Sequence, residues 1–204
     1  MHISWLGTTA VKIQTKPNDT DITVVIDPYK PTTGTFPRNL APVVGVYTRG
    51  EEGSITLSGN PFFLATPGEC ETHGVLMTAI YADEGDHLMV RLDSEGISMA
   101  HLGLSSKQPT TDQLDVIGGV DVLFLPVGHP EAFSPEDAVK AVNAIEARIV
   151  IPIAFKSDTD PKAQPVDAFL KEIGAAAQTP EKKIILKKKD LPQDETKVIV
   201  LSKE

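Results

Sequence analysis

Short apolar and alternating runs fill the first half of the chain. Ile3 to Leu6, Ala10 to Ile13 and Ile22 to Ile26 are parted by Gly7 and by the turn Lys16-Pro17-Asn18-Asp19, and they predict three strands. The β-branched run Ile22-Thr23-Val24-Val25-Ile26 ends at Asp27-Pro28, so it is expected to be a buried strand stopped by proline. Tyr29 to Arg38 is rich in Pro, Thr and Gly and reads as loop. Strand character returns at Val43 to Tyr47, Phe62 to Ala65, Val75 to Tyr81, His87 to Leu92 and Ile97 to Ala100, with Gly85-Asp86 and Ser94-Glu95-Gly96 as hairpin turns between the last three. The second half changes period. Thr111 to Ile117 has helical spacing behind Pro109, with Thr110 or Thr111 as N-cap. Val120 to Val127 is a near-continuous apolar strand. Ser134-Pro135-Glu136-Asp137 combines a capping serine, proline at the first helical position and acids in the first turn, and predicts a helix to about Ala147. Ile149 to Ile153, a helix over Val166 to Ile173, and strands at Ile184 to Leu186 and Val198 to Val200 complete the expectation. Strands in a meander, followed by strands alternating with helices, suggest two mostly antiparallel sheets face to face with helices outside, a four-layer α/β/β/α arrangement. No repeat or long linker divides residues 1–204, so one domain is expected.

Composition narrows the function classes. Hydrophobic residues make up 41 % and charged residues 23 %, an ordinary globular balance. No run approaches the roughly 18 apolar residues of a membrane span, and the N-terminal stretch lacks the pattern of a secretory signal. Cys70 is the single cysteine, which excludes an internal disulfide and a cysteine-based zinc cage. These features point to a cytoplasmic protein. The formal net charge of −9 disfavours nucleic acid, and the basic run Lys182 to Lys189 brackets an apolar centre, as expected of a strand with solvated ends.

A series of local phrases adds more than the periodicity. In order they are Trp5-Leu6-Gly7, Val24-Val25-Ile26-Asp27-Pro28, Pro67-Gly68-Glu69 before Gly74-Val75, His101-Leu102-Gly103, Gly119 to Gly128, and Ile149-Val150-Ile151-Pro152-Ile153. This order resembles the small single-domain branch of the metallo-β-lactamase superfamily, which includes ascorbate-phosphate-lactonase-like Zn-dependent hydrolases. The resemblance spans residue 3 to about 156. It implies an αββα sandwich with two metals, usually zinc, at its mouth, held by imidazoles and carboxylates at strand ends. A metal-bound water would there attack an ester, lactone, amide or phosphate bond.

The ligand positions implied by the resemblance are altered throughout. The family's His-x-His-x-Asp-His signature falls on Tyr47-Thr48-Arg49-Gly50-Glu51-Glu52-Gly53-Ser54, in one of two registers. One gives Arg49, Glu51, Gly53 and Ser54; the other gives Thr48, Gly50, Glu52 and Gly53. Neither supplies a histidine, and the first sets a permanent cation beside the metal site. Thr8 stands where relatives often have a histidine after Trp-Leu-Gly. Leu104 replaces the bridging acid after His101-Leu102-Gly103, and Ala154 and Phe155 follow the Ile-Pro strand where the last histidine is expected. Thr8, Arg49, Leu104 and Ala154 are therefore expected to meet around the emptied site, with no metal or other cofactor bound there.

The residues left over carry alternatives. His101 is a relic ligand or general base, or a histidine kept for packing. His129, in Gly128-His129-Pro130, is a replacement ligand on the rim or a surface-loop residue. Glu51 and Glu52, with Asp27, Glu69 and His101, could form an oxygen-rich site for one divalent ion such as magnesium, manganese or calcium, or else a solvated acidic loop. Asp27 is also read as organising its loop, Cys70 as an inert buried thiol, and Ser105-Ser106-Lys107 as a weak Ser-Lys pair. The leading expectation is a pseudoenzyme that binds a ligand or protein partner. The alternatives are a hydrolase with an altered single-metal site, built from Glu51 or Glu52, His101 and His129, and a subunit of a homo-oligomer or larger assembly.

Overall fold

The computed structural model describes residues 1–37, 40–82 and 87–204. The predicted turn at Gly85-Asp86 and the loop end at Arg38 lie outside the described residues. Among the described residues there are thirteen strands. A six-stranded sheet contains β1 (His2–Gly7), β2 (Ala10–Thr15), β3 (Ile22–Ile26), β4 (Val44–Val46), β5 (Phe62–Leu64) and β12 (Ile184–Ile185), in the order β12-β1-β2-β3-β4-β5. The seven-stranded sheet contains β6 (Gly68–Thr72), β7 (Val75–Tyr81), β8 (Leu88–Ser94), β9 (Ile97–His101), β10 (Val122–Pro126), β11 (Ile149–Ile153) and β13 (Lys197–Val198), in the order β13-β11-β10-β9-β8-β7-β6.

Alternation in the first sheet decides which side chains meet the second. Ile3 and Trp5 of β1, Val11 and Ile13 of β2, and Val24 and Ile26 of β3 enter a core shared with Met77, Leu92, Met99 and Phe124 of the other sheet. The intervening Leu6, Ala10 and Val25 face outward, where Phe36 and Leu40 of the loop after β3 cover them. β10 and β11 are buried at every position, as their continuous apolar runs require.

Among the described residues three α-helices, α1 (Thr111–Ile117), α2 (Pro135–Ile145) and α3 (Asp167–Glu172), accompany the second sheet, α1 against β8 and α2 against β10. Thr110 and Gln113 form a reciprocal capping box on α1. Ser134 caps α2, which buries Ala138, Ala141, Val142 and Ile145 along one stripe. It stops at Ile145, two residues before the predicted end, because Glu146 is left-handed at φ 57°. The architecture is thus the αββα sandwich, with one outer layer of helices and loop covering part of the other.

Both sheets are mixed, with antiparallel hairpins and parallel pairs. β3-β4-β5 and β9-β10-β11-β13 pair in parallel, because each step between them crosses over through a loop or helix instead of a tight turn. β6 has no counterpart among the predicted strands; it pairs with β7 through a turn at His73-Gly74, both left-handed at φ 52° and 74°. Its polar, exposed composition hides an edge strand from any hydrophobic pattern.

Candidate functional site

β1, β3, β4, β10 and β11 end at one mouth between the sheets. The segments after them line a cleft of about 200 Å³ that includes Thr8, Asp27, Arg49, His129 and Asp160. Thr8, Asp27, Gly128 and Ala154, each next to or just past a strand end, have positive φ of 44°, 50°, 83° and 58°. Left-handed backbone at non-glycine residues costs energy, and it clusters where strand ends are turned toward a site.

Asp27 is buried and fixed from β4. Thr48 N–H donates to its Oδ1 and Thr48 Oγ1 to its Oδ2, both at 2.7 Å. Tyr29 follows on the same loop. Its hydroxyl donates to Gly50 O (2.8 Å) and accepts from Arg49 N–H (2.8 Å), which pins the chain after β4 over the cleft. The Arg49 guanidinium then lies 4.4 Å from the Tyr29 ring centroid, a cation–π geometry. Burial, and then the Asp27 charge, push the Tyr29 phenol well above its ordinary range, so it stays protonated.

His101 sits behind this wall, fully buried. Gly103 N–H donates to Nδ1 (3.0 Å), so the ring proton is on Nε2, which donates to Thr9 O (2.9 Å). Both nitrogens are spent on backbone groups. Burial holds its pKa below the ordinary histidine value, against the raising effects of Asp27 and of the Thr9 hydrogen bond. Gly103 has a local role in this phrase: at φ 64° it faces Leu88 O and Thr48, where a Cβ would stand 2.9 Å from the carbonyl oxygen.

His129, half-buried in the loop after β10, lines the cleft. Glu131 N–H donates to its Nδ1 (3.1 Å), which leaves Nε2–H facing Asp160 Oδ2 at 3.8 Å, beyond hydrogen-bond reach. On its other side His129 borders a larger, mostly apolar chamber of about 680 Å³ formed with Val127, Phe133 and Phe169.

Other expected members stand elsewhere. Glu51 and Glu52 are exposed and do not line this cleft, because the turn after Gly50 carries them into solvent. Glu69 is on the exposed edge strand β6. Leu104 and Ala154 do not share the cleft with Thr8 and Arg49; they are buried with Ala132 in a small apolar cluster, as expected of side chains with no polar atom. Cys70 is half-buried on β6, its thiol pKa raised by burial and then by Glu69. Ser105 Oγ accepts from Lys107 N–H and so holds a loop. Among the described residues no three His, Cys, Asp or Glu side chains are grouped to hold a metal. Thr9, Tyr29 and Asp160 were missed. Thr9 accepts from His101 through its backbone carbonyl, Tyr29 acts through its hydroxyl, and Asp160 lies in the polar loop after the Ile-Pro strand, so position behind a strand end was the available signal.

This sandwich, with its strand ends converging on one cleft, defines a metallo-β-lactamase-type fold. The chain belongs to the β-lactamase superfamily: the family model for the β-lactamase superfamily domain matches residues 2–154. Among solved structures it is similar to a provisionally assigned Zn-dependent hydrolase of the metallo-β-lactamase superfamily from Thermotoga maritima. That likeness has a TM-score of 0.82 and 26 % identity, over 98 % of each chain. A metallo hydrolase from the archaeon Ignicoccus hospitalis shares the fold at TM-score 0.67 and 15 % identity, over 91 % of this chain and 99 % of that one. An isothiocyanate hydrolase from Delia radicum gut bacteria does so at 0.63 and 12 %, over 100 % and 97 %. No curated protein matches the chain in sequence.

Proposed function

We propose that this chain is a member of the superfamily that lacks the two-metal centre and uses the cleft to bind a small molecule without turning it over. Arg49 carries the proposal. A guanidinium is charged at every accessible pH, and it lines the cleft where the family's signature segment would bring metal ligands. The neighbouring donors do not fit a dimetal set. Both nitrogens of His101 are engaged by backbone, the Asp27 oxygens are taken by Thr48, and Glu51 and Glu52 face solvent. The test is metal content. Protein purified from unsupplemented culture is expected to hold less than about a tenth of an equivalent of transition metal, since a built site retains its ion at nanomolar affinity or better. Stoichiometric zinc or manganese would overturn the proposal.

A hydrolase is the second reading, favoured by the 26 % identity to the Thermotoga maritima protein and by Asp27, His129 and Asp160 sharing one cleft. It requires Asp27 to leave Thr48 and the three side chains to converge on one divalent ion, since among the described residues they are not grouped to hold one. This reading expects ester, lactone or phosphoester hydrolysis that rises with added zinc or manganese and is lost in His129→Ala. A cytoplasmic location is part of this proposal: a single free thiol, Cys70, is compatible with a reducing compartment, and cell fractionation checks it. Among the described residues no helix is long and apolar enough to cross a membrane.

A further inference from the structure

We propose that the cleft binds a small monocarboxylic acid that also carries a hydroxyl or amino donor, in a 1:1 complex, an inference that rests on the metal-free reading above. Among the described residues three buried side-chain polar atoms lack a hydrogen-bond partner: Arg49 Nε, Thr9 Oγ1 and Asp160 Oδ2. All three residues line this one cleft. Unpaired buried groups are costly, so their concentration at a single place marks where an outside molecule is received.

Their chemistry sets the ligand. Arg49 Nε–H requires an acceptor, and a guanidinium prefers a planar carboxylate that it can grip with two parallel N–H groups. Asp160 Oδ2 requires a donor, and His129 Nε2, 3.8 Å away, is beyond hydrogen-bond reach. The Thr9 hydroxyl can serve either role. One molecule offering both a carboxylate and a donor satisfies the set. A phosphate monoester carries about −1.5 to −2 charge at neutral pH and would face the carboxylates of Asp27 and Asp160 in the same cleft, so a monoanion is better matched. The volume limits size: about 200 Å³ is room for roughly six or seven waters at ~30 Å³ each, or an acid of comparable bulk.

Isothermal titration of the full-length, EDTA-treated protein tests this with four probes: glycerate, serine, propionate and glycerol. Inorganic phosphate is the fifth. Glycerate or serine is expected to bind one per chain, with propionate (no donor) and glycerol (no carboxylate) each at least about tenfold weaker, a difference of ~1.4 kcal/mol. Whichever of the two binds tighter identifies the donor as hydroxyl or ammonium. Arg49→Met should weaken binding at least tenfold, and Arg49→Lys, which keeps the charge but not the fork, should fall between. Asp160→Ala should bring glycerate or serine down to the level of propionate. Thermal melts show that each variant is folded before it is titrated. If glycerol or phosphate binds as tightly as glycerate and serine, or neither acid binds, the ligand class is wrong while the metal-free reading stands. If binding requires restored zinc or manganese, both fall.

Discussion

Burial of His101 as a neutral ring couples this residue to the pH dependence of folding. Its folded-state pKa is lowered by desolvation, whereas in the unfolded chain it titrates near the ordinary value of about 6.5. The sign follows: above that value both states hold a neutral ring and the contribution to stability is full. Below it the unfolded chain takes up a proton that the native chain refuses, so stability falls until the depressed folded pKa is reached. His101 alone can contribute a slope of at most about 1.4 kcal/mol per pH unit, approached below pH ~6.5 while the folded ring stays neutral. Urea titrations between pH 7 and 5 should show this slope removed in His101→Gln; an unchanged slope would mean that another group is responsible. The phrase His101-Leu102-Gly103 was visible in the sequence, but its meaning was not. A histidine that binds metal and one that ties Thr9 O to Gly103 N–H look the same in the sequence, because the partners are backbone atoms far along the chain or two residues away.

Strand ends, more than strands, carry the site. Runs rich in β-branched and apolar residues announced β1, β3, β7, β10 and β11, because alternation or full burial is written into their own side chains. β6 was silent, since an exposed edge needs no apolar face. The residues just past the strands were legible only in part. Arg49 and Thr8 stood out as replacements, while Tyr29, Thr9 and Asp160 take their roles from neighbours across the mouth. Leu104 and Ala154 were placed at the right strand ends but in the wrong environment, because an apolar side chain turns from a polar cleft to the nearest cluster. The turn after β9 gives a sharp test of this view. In Gly103→Ala the new Cβ would stand 2.9 Å from Leu88 O and 3.1 Å from Thr48 Oγ1, at φ 64°. Left-handed strain and crowding together should cost about 2–4 kcal/mol, read as a lower urea midpoint. Because Thr48 holds Asp27, the variant should also weaken ligand binding in whatever fraction stays folded. A neutral substitution would show that the turn is free to move.

At the scale of the whole molecule, the sandwich stands on a core shared by both sheets, and the mouth is a surface feature of that core rather than its support. Trp5 shows the connection: its ring packs 4.3 Å from Phe155, and its indole N–H donates to Thr8 O, which also accepts from Ala154 N–H. Backbone and aromatic contacts thus tie the ends of β1 and β11 together, a join that a metal makes in proteins whose folding depends on one. The consequence is thermodynamic. An ion that binds only the folded state adds RT ln(1 + [L]/Kd), about 2.7 kcal/mol at a hundredfold excess over Kd. For a domain of this length that corresponds to a rise of roughly 5–10 °C in the melting midpoint. The net charge of −9 attracts cations to the whole surface, so the comparison belongs at about 0.15 M salt, where such attraction is screened beyond ~8 Å. Under those conditions the midpoints in EDTA and in excess zinc should agree within about 1 °C, whereas a saturating acid of the kind proposed for the cleft should raise the midpoint by several degrees. The reverse pattern, a zinc-dependent rise with no response to the acid, would assign the mouth to a metal and return the chain to the hydrolases it resembles in fold.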